Sequence, residues 1–165
     1  MSSSYKQMYF TRFKKIFSYL TRILYLKDCK RNGMKYGSSF RIMSNVNFGS
    51  EPYLITIGNN VTISIGVLFS THDGGAFVLR NLDEFKNKNI NTFGKIIIGN
   101  NVFIGANSII LPHVTIGNNV VIGANSLVSK DVVSNSVYAG IPAKQIMTID
   151  EYANKTYLNN KVKIK

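Results

Sequence analysis

The chain has 165 residues, 45% of them hydrophobic and 17% charged, which supplies apolar material for one cored domain and excludes wholesale disorder. Its formal net charge is +12, yet nine Lys and Arg against the single acid Asp28 fall within residues 1–35; the excess belongs to one segment, so the body is not read as a nucleic-acid binder. No run reaches the ~18 apolar residues of a membrane span, the N-terminus lacks the form of a secretory signal, and a lone, inert Cys29 excludes an internal disulfide and fits a reducing, cytoplasmic compartment.

The first unit is residues 1–36. Between positions 5 and 27, Tyr9, Phe13, Ile16/Phe17, Leu20 and Ile23/Leu24 follow helical spacing, with Lys and Arg filling the rest, the pattern of an N-terminal amphipathic helix. Two uses fit it. The helix packs on the fold or on a neighbouring subunit and closes an open sheet end, or it lies on anionic lipid at the inner face of the membrane.

Residues 37–147 carry a six-residue beat. It runs through Ile42, Phe48 and Leu54, then restarts three residues out of phase at Ile57, Ile63 and Phe69, implying a small bulge around residues 51–53. It stops over residues 70–95 and resumes at Ile98, Ile104, Ile110, Ile116, Ile122 and Val128, with glycine after four of these six. A second inward set stands two positions earlier: Ile96, Val102, Ser108, Val114, Val120 and Ser126. A period of six fits neither the 3.6 of a helix nor plain strand alternation. It fits short strands joined by tight turns, where Asn tolerates positive φ. Three strands make an eighteen-residue coil, and coils stacked about 4.8 Å apart bring each aliphatic onto its equivalents. The expected fold is therefore all-β, a parallel β-helix. A β-sandwich, with turns every ~8–12 residues and no fixed period, does not hold six anchors in register. The spacing leaves the handedness open. Residues 148–165 form the third unit, in which T-I-D-E is a capping box opening a short C-terminal helix, followed by a basic, frayed tail from Lys161.

The interruption at residues 70–95 is polar and glycine-rich, and a long loop inside a compact repeat is usually functional. His72 stands near its start, followed by Asp73, Gly74 and Gly75. Imidazole suits general-base work near neutral pH, and an adjacent carboxylate such as Asp73 can hold its tautomer. The residues alone leave a solvated loop histidine equally open, and Asp73 equally a turn former. His113, in L-P-H-V, reads as a surface residue in a turn. With two histidines, no neighbouring Cys and no H-x-x-x-H pair, the expected metal count is none.

The I-G-x-x-x-x repeats, the T-H-D-G-G-A-F-V-L-R stretch at residues 71–80 and Y-A-G-I-P-A-K at residues 138–144 together resemble the hexapeptide-repeat acyltransferases, in the polysaccharide-biosynthesis branch related to galactoside and maltose acetyltransferases. The resemblance implies a left-handed β-helix, a homotrimer and an acetyl-CoA-dependent O-acetyltransferase acting on a hydroxyl of a sugar or glycan precursor. An N-acetyltransferase on an amino sugar, and an inactive β-helix used for assembly or binding, are the alternatives. His72 falls on the family's catalytic histidine. Coenzyme A is expected in a groove between subunits, along Gly105–Ala106, Gly123–Ala124 and Ile141, Pro142 and Lys144. Ala106 is the candidate amide donor to the thioester oxygen, Lys130 and Lys144 are candidates for the cofactor phosphates, and Phe103 replaces a family tryptophan as an aromatic wall. Acceptor contacts are expected from Asn45, Asn47 and Glu51 near the phase slip, and from Arg80, which favours an acidic sugar.

Overall fold

The computed structural model describes the backbone of residues 3–163 apart from 87, 89 and 91, with side chains for Phe13 and for most residues from 16 to 158. The order is α1 (Ser3–Arg31), β1 (Lys35–Tyr36), β2 (Arg41–Ile42), a 3₁₀ turn (Pro52–Leu54), β3 (Ile55–Ile57), β4 (Val61–Ile63) and β5 (Leu68–Phe69). The inserted loop holds α2 (Ala76–Arg80) and a second 3₁₀ turn (Asp83–Phe85). Then come β6 (Ile96–Ile98), β7 (Val102–Ile104), β8 (Ile109–Ile110), β9 (Thr115–Ile116), β10 (Val120–Ile122), β11 (Leu127–Val128), β12 (Ser136–Ala139), β13 (Lys144–Thr148) and α3 (Ile149–Lys163).

The strands form three faces of a prism: β1-β3-β6-β9, β2-β4-β7-β10-β12-β13, and β5-β8-β11. The six-residue beat fixes the register. Ile57, Ile98 and Ile116 stack on the first face, Ile63, Ile104 and Ile122 on the second, and Phe69, Ile110 and Val128 on the third; none of the nine is more than 2% exposed. A regular coil is 18 residues, the offset between Ile98 and Ile116, and the first two coils are 21 apart at Tyr36 and Ile57, but Ile57 pairs with Ile98, 41 residues on. The difference of 23 residues is the loop, lifted out without disturbing the stack. The two serines of the second inward set are buried because each hydroxyl donates to Gly123 O, Ser108 at 3.0 Å and Ser126 at 2.7 Å.

One corner of the prism is held by asparagine. Asn60, Asn101, Asn119 and Asn135 all have φ between +54° and +59°, where a short amide side chain is tolerated. Each of the first three donates Nδ2–H to the next coil's Oδ1, at 2.9, 2.9 and 2.8 Å. Asn119→Ala removes two of these bonds and puts a less tolerant residue at a left-handed position, so it should cost about 1–2 kcal/mol, read as a lower midpoint in denaturant with an unchanged slope.

The phase slip is a 3₁₀ turn rather than a strand bulge. Pro52–Leu54 takes up the three extra residues and leaves Leu54 only partly buried, so Ile55 and Ile57 carry the core there. At the far end, residues 140–143 reverse the chain. β13 pairs antiparallel with β12, which ends the parallel stack. The expected capping box is present: Thr148 Oγ1 accepts from Glu151 N–H at 3.2 Å, and Glu151 Oε2 accepts from Thr148 N–H at 2.7 Å. α3 continues through Lys163, into the stretch read as tail; residues 164 and 165 lie outside the description.

α1 closes the other end, but with a different face from the expected one. It terminates at Gly33 (φ +93°), where Gly33 N–H bonds Lys30 O and Met34 N–H bonds Cys29 O, the pairing in which a left-handed glycine satisfies the last carbonyls. Tyr25, Leu26, Cys29 and Met34 pack on the first coil, and Tyr25 Oη accepts from Phe48 N–H at 2.9 Å while its ring stacks on Phe48. Burial pushes the Cys29 thiol up, consistent with an inert role. Of the stripe picked out from the sequence, Phe13, Ile16, Phe17, Leu20 and Leu24 are exposed, whereas Ile23 is half-buried and lines a pocket with Leu26 and Phe40; the side chain of Tyr9 lies outside the described residues. β1 already belongs to the first coil, so the prism starts two residues before the boundary drawn at 36/37.

Candidate active site

The loop leaves the prism directly after β5 and returns as β6 begins. Its base is clamped: Asp73 N–H donates to Thr92 O at 3.0 Å and Gly94 N–H to Thr71 O at 2.9 Å. His72 and Phe93 therefore stand across from each other in an antiparallel bridge, with ring centroids 6.1 Å apart and edge-on. His72 is held at a rigid root, not carried on a free loop.

The 3₁₀ turn at the phase slip sets Glu51 beneath this root. Thr71, 1% exposed, donates its hydroxyl to Glu51 Oε2 at 2.6 Å. His72 Nδ1 lies 2.9 Å from the same oxygen. The Thr71 hydroxyl, and secondarily the imidazole, hold the Glu51 carboxyl below the usual carboxylate range against the opposing effect of burial. At neutral pH the carboxylate is therefore an acceptor only, which assigns the proton to Nδ1 and leaves Nε2 of the half-exposed His72 side chain as the basic nitrogen.

Glu51, expected as an acceptor contact, is thus the carboxylate on the imidazole. Asp73 is not: its Oδ1 accepts from Gly75 N–H at 2.8 Å, the local turn that an aspartate makes with the amide two residues on. Adjacency along the chain put Asp73 next to His72, whereas the fold brings the carboxylate from 21 residues away. Thr71 and Phe93 were missed. The signal for Thr71 was its place beside His72 at the end of a coil; Phe93 had none, because the bridge forms across the loop.

His72, Asp73, Phe77, Arg80, Thr92 and Phe93 line a pocket of about 250 Å³. Arg80 donates from Nε and Nη2 to Ile90 O at 2.9 and 2.7 Å, so it ties α2 to the returning limb of the loop as well as lining the pocket. Asn47 is a coil link: its backbone bonds Val67 and Phe69, and its Oδ1 accepts from Gly49 N–H. Asn45 is an exposed left-handed turn residue (φ +59°), lining a different pocket beside α1 with Arg22 and Tyr25.

The residues expected to hold coenzyme A divide between two corners and a face. Ala106 and Ala124 lie at the corner between the second and third faces, and Phe103 projects outward from β7, 43% exposed. Lys130 follows β11, at the corner from which His72 emerges after β5. Stacking requires glycine at 105 and 123: a Cβ on Gly105 would come within 2.5 Å of Ala124 N, and one on Gly123 within 2.8 Å of Ala139 Cβ. Gly105 N–H and Asn107 N–H bond Ile122 O and Ile65 O, whereas Ala106 N–H has no backbone acceptor among the described residues and sits at the outer corner. Ile141, 74% exposed, and Pro142 follow at the same end, with exposed Lys144 next.

Residues 95–130 match the family described as bacterial transferase hexapeptide (six repeats). The chain is 54% identical over 147 residues to Protein CapG of Staphylococcus aureus, covering 82% of this chain and 83% of that one. It is 41% identical over 130 residues to the galactoside O-acetyltransferase of Escherichia coli K12, covering 76% and 62%. Among solved structures it superposes on a maltose O-acetyltransferase from Clostridium difficile 630 with a TM-score of 0.57 at 27% identity, covering 74% and 73%. The chain belongs to the hexapeptide-repeat acetyltransferase family, and its prism is the family's left-handed β-helix.

Proposed function

We propose that the protein transfers an acetyl group from acetyl-coenzyme A to a hydroxyl of a sugar or glycan precursor, with His72 Nε2 as the general base. The observation that carries this is the chain Thr71–Glu51–His72, a buried hydroxyl and an ionised carboxylate fixing one imidazole tautomer at the mouth of a pocket. Acetyl-coenzyme A supplies the acyl group as a thioester. Nε2 takes the proton of the acceptor hydroxyl as its oxygen bonds the acyl carbon; Glu51 stabilises the imidazolium so formed. The same proton passes to the sulfur as the carbon–sulfur bond breaks, and His72 ends neutral. The outward N–H of Ala106 is the group suited to the oxyanion that develops.

The His72 corner and the Ala106–Ala124 corner are different edges of one prism, so both sets meet in one cleft only where two chains pair. That supports a homotrimer, as do Phe77, Val78, Leu79 and Leu82, all exposed on the loop. The small pocket suits a sugar-sized acceptor, and two relatives are O-acetyltransferases named for galactoside and maltose. A thiol-release assay with acetyl-CoA against a panel of sugars, glycosides and amino sugars tests the reading. Turnover with acceptors carrying only hydroxyl groups is expected. Turnover confined to amino sugars would establish the N-acetyl alternative, and no thiol release with any acceptor would leave the β-helix an assembly module.

A further inference from the structure

α1 is apolar on two opposite sides. At 100° per residue, the residues that meet the prism, Arg22, Tyr25, Leu26 and Cys29, lie on one side of the helix. Phe13, Ile16, Phe17, Leu20 and Leu24 lie on the other, within an arc of about 100°, and are 65%, 59%, 59%, 50% and 64% exposed. The prism lies on the side of the helix opposite to this row. That row runs over the twelve residues from 13 to 24, about 17 Å between its end residues.

The charges around it select the occupant. Residues 1–27 contain no acid, and Arg12, Lys14 and Lys15 precede or interrupt the row while Lys27, Lys30 and Arg31 follow it. A second copy of α1 laid against this row would bring two strongly basic segments together, an arrangement that like charge opposes. An anionic lipid surface accepts the apolar row among its acyl chains and the flanking cations among its headgroups. No helix among the described residues is long and apolar enough to cross a membrane, so the contact lies in the plane of the interface.

We infer that the outer face of α1 docks the enzyme on an anionic membrane surface. The site in the loop is independent of this, so failure of one leaves the other standing. The experiment sediments the full chain with phosphatidylcholine vesicles and with vesicles containing about 30% phosphatidylglycerol, alongside a variant carrying Phe17→Gln and Leu20→Gln. These changes keep the net charge and touch nothing on the prism. The expected result is binding to the anionic vesicles only, weakened by about 0.5 M salt and reduced about tenfold or more in the variant, with thermal unfolding unchanged. Leu24→Gln alone serves if the double variant does not fold, and should give a smaller loss of the same sign. No binding to anionic vesicles at low salt, or equal binding by the variants, overturns the inference. So does a change in the variant's oligomeric mass by light scattering, because the row is then a subunit contact.

Discussion

His72→Ala lowers kcat for acetyl transfer by about 10²- to 10⁴-fold, the contribution of a positioned general base, and leaves the affinity for coenzyme A within about twofold. The split follows from where the residue stands. Its ring makes one hydrogen bond, to Glu51, and one edge contact, to Phe93. The corner of Ala106 and Ala124 is untouched by the change. Thr71 still satisfies Glu51 when the imidazole is gone, and the lost side chain was half-exposed, so unfolding should shift by no more than about 0.5 kcal/mol. Steady-state kinetics with varied acetyl-CoA, beside equilibrium binding of coenzyme A, separates the two quantities. Asp73→Asn is the companion measurement. Its carboxylate serves a turn to Gly75 N–H, which an asparagine oxygen reproduces, so the rate should stay within about threefold. Equal losses in the two variants would return the orienting role to Asp73.

The prism was legible because stacking repeats one demand at each coil. An aliphatic at every sixth position, a second inward residue two before it and a left-handed asparagine at the corner are each required by the neighbouring coil, and the sequence shows all three. The position of His72 was legible for the opposite reason: the beat stops there. What the sequence did not show depends on distances set by the stack. Glu51 reaches His72 because the coil rise places residue 51 under residue 72, a relation with no local signature, and Asp73 was the nearer candidate along the chain. The same limit applies to α1. Its helical spacing marks Phe13, Ile16, Phe17, Leu20 and Leu24 as one apolar row, but Tyr25, Leu26 and Cys29 form a second row on the far side. Which of the two meets the prism is decided by where Gly33 turns the chain.

Glu51→Gln should lower kcat by about 10²-fold with little change in the KM of the acceptor. One oxygen of Glu51, Oε2, receives both the Thr71 hydroxyl and His72 Nδ1. A glutamine oxygen in that place can accept from both, so the tautomer survives while the negative charge that stabilises the imidazolium is lost. Glu51→Ala removes acceptor and charge together. It leaves the Thr71 hydroxyl, 1% exposed, without its partner, so it should add about 1–3 kcal/mol of destabilisation that the glutamine variant lacks. The carboxyl is held below the ordinary carboxylate range, chiefly by Thr71. A depressed folded-state value means that the ionised contact stabilises the protein fully above the unfolded value and is lost as pH falls through the folded one. The stability gap between native protein and Glu51→Gln should therefore shrink in acid, as pH falls below the ordinary glutamate pKa of about 4.3. Denaturant midpoints across that range measure it, and a gap that widened with acid would mean that the carboxyl enters the fold protonated, leaving Nδ1 without the acceptor that fixes Nε2 as the base.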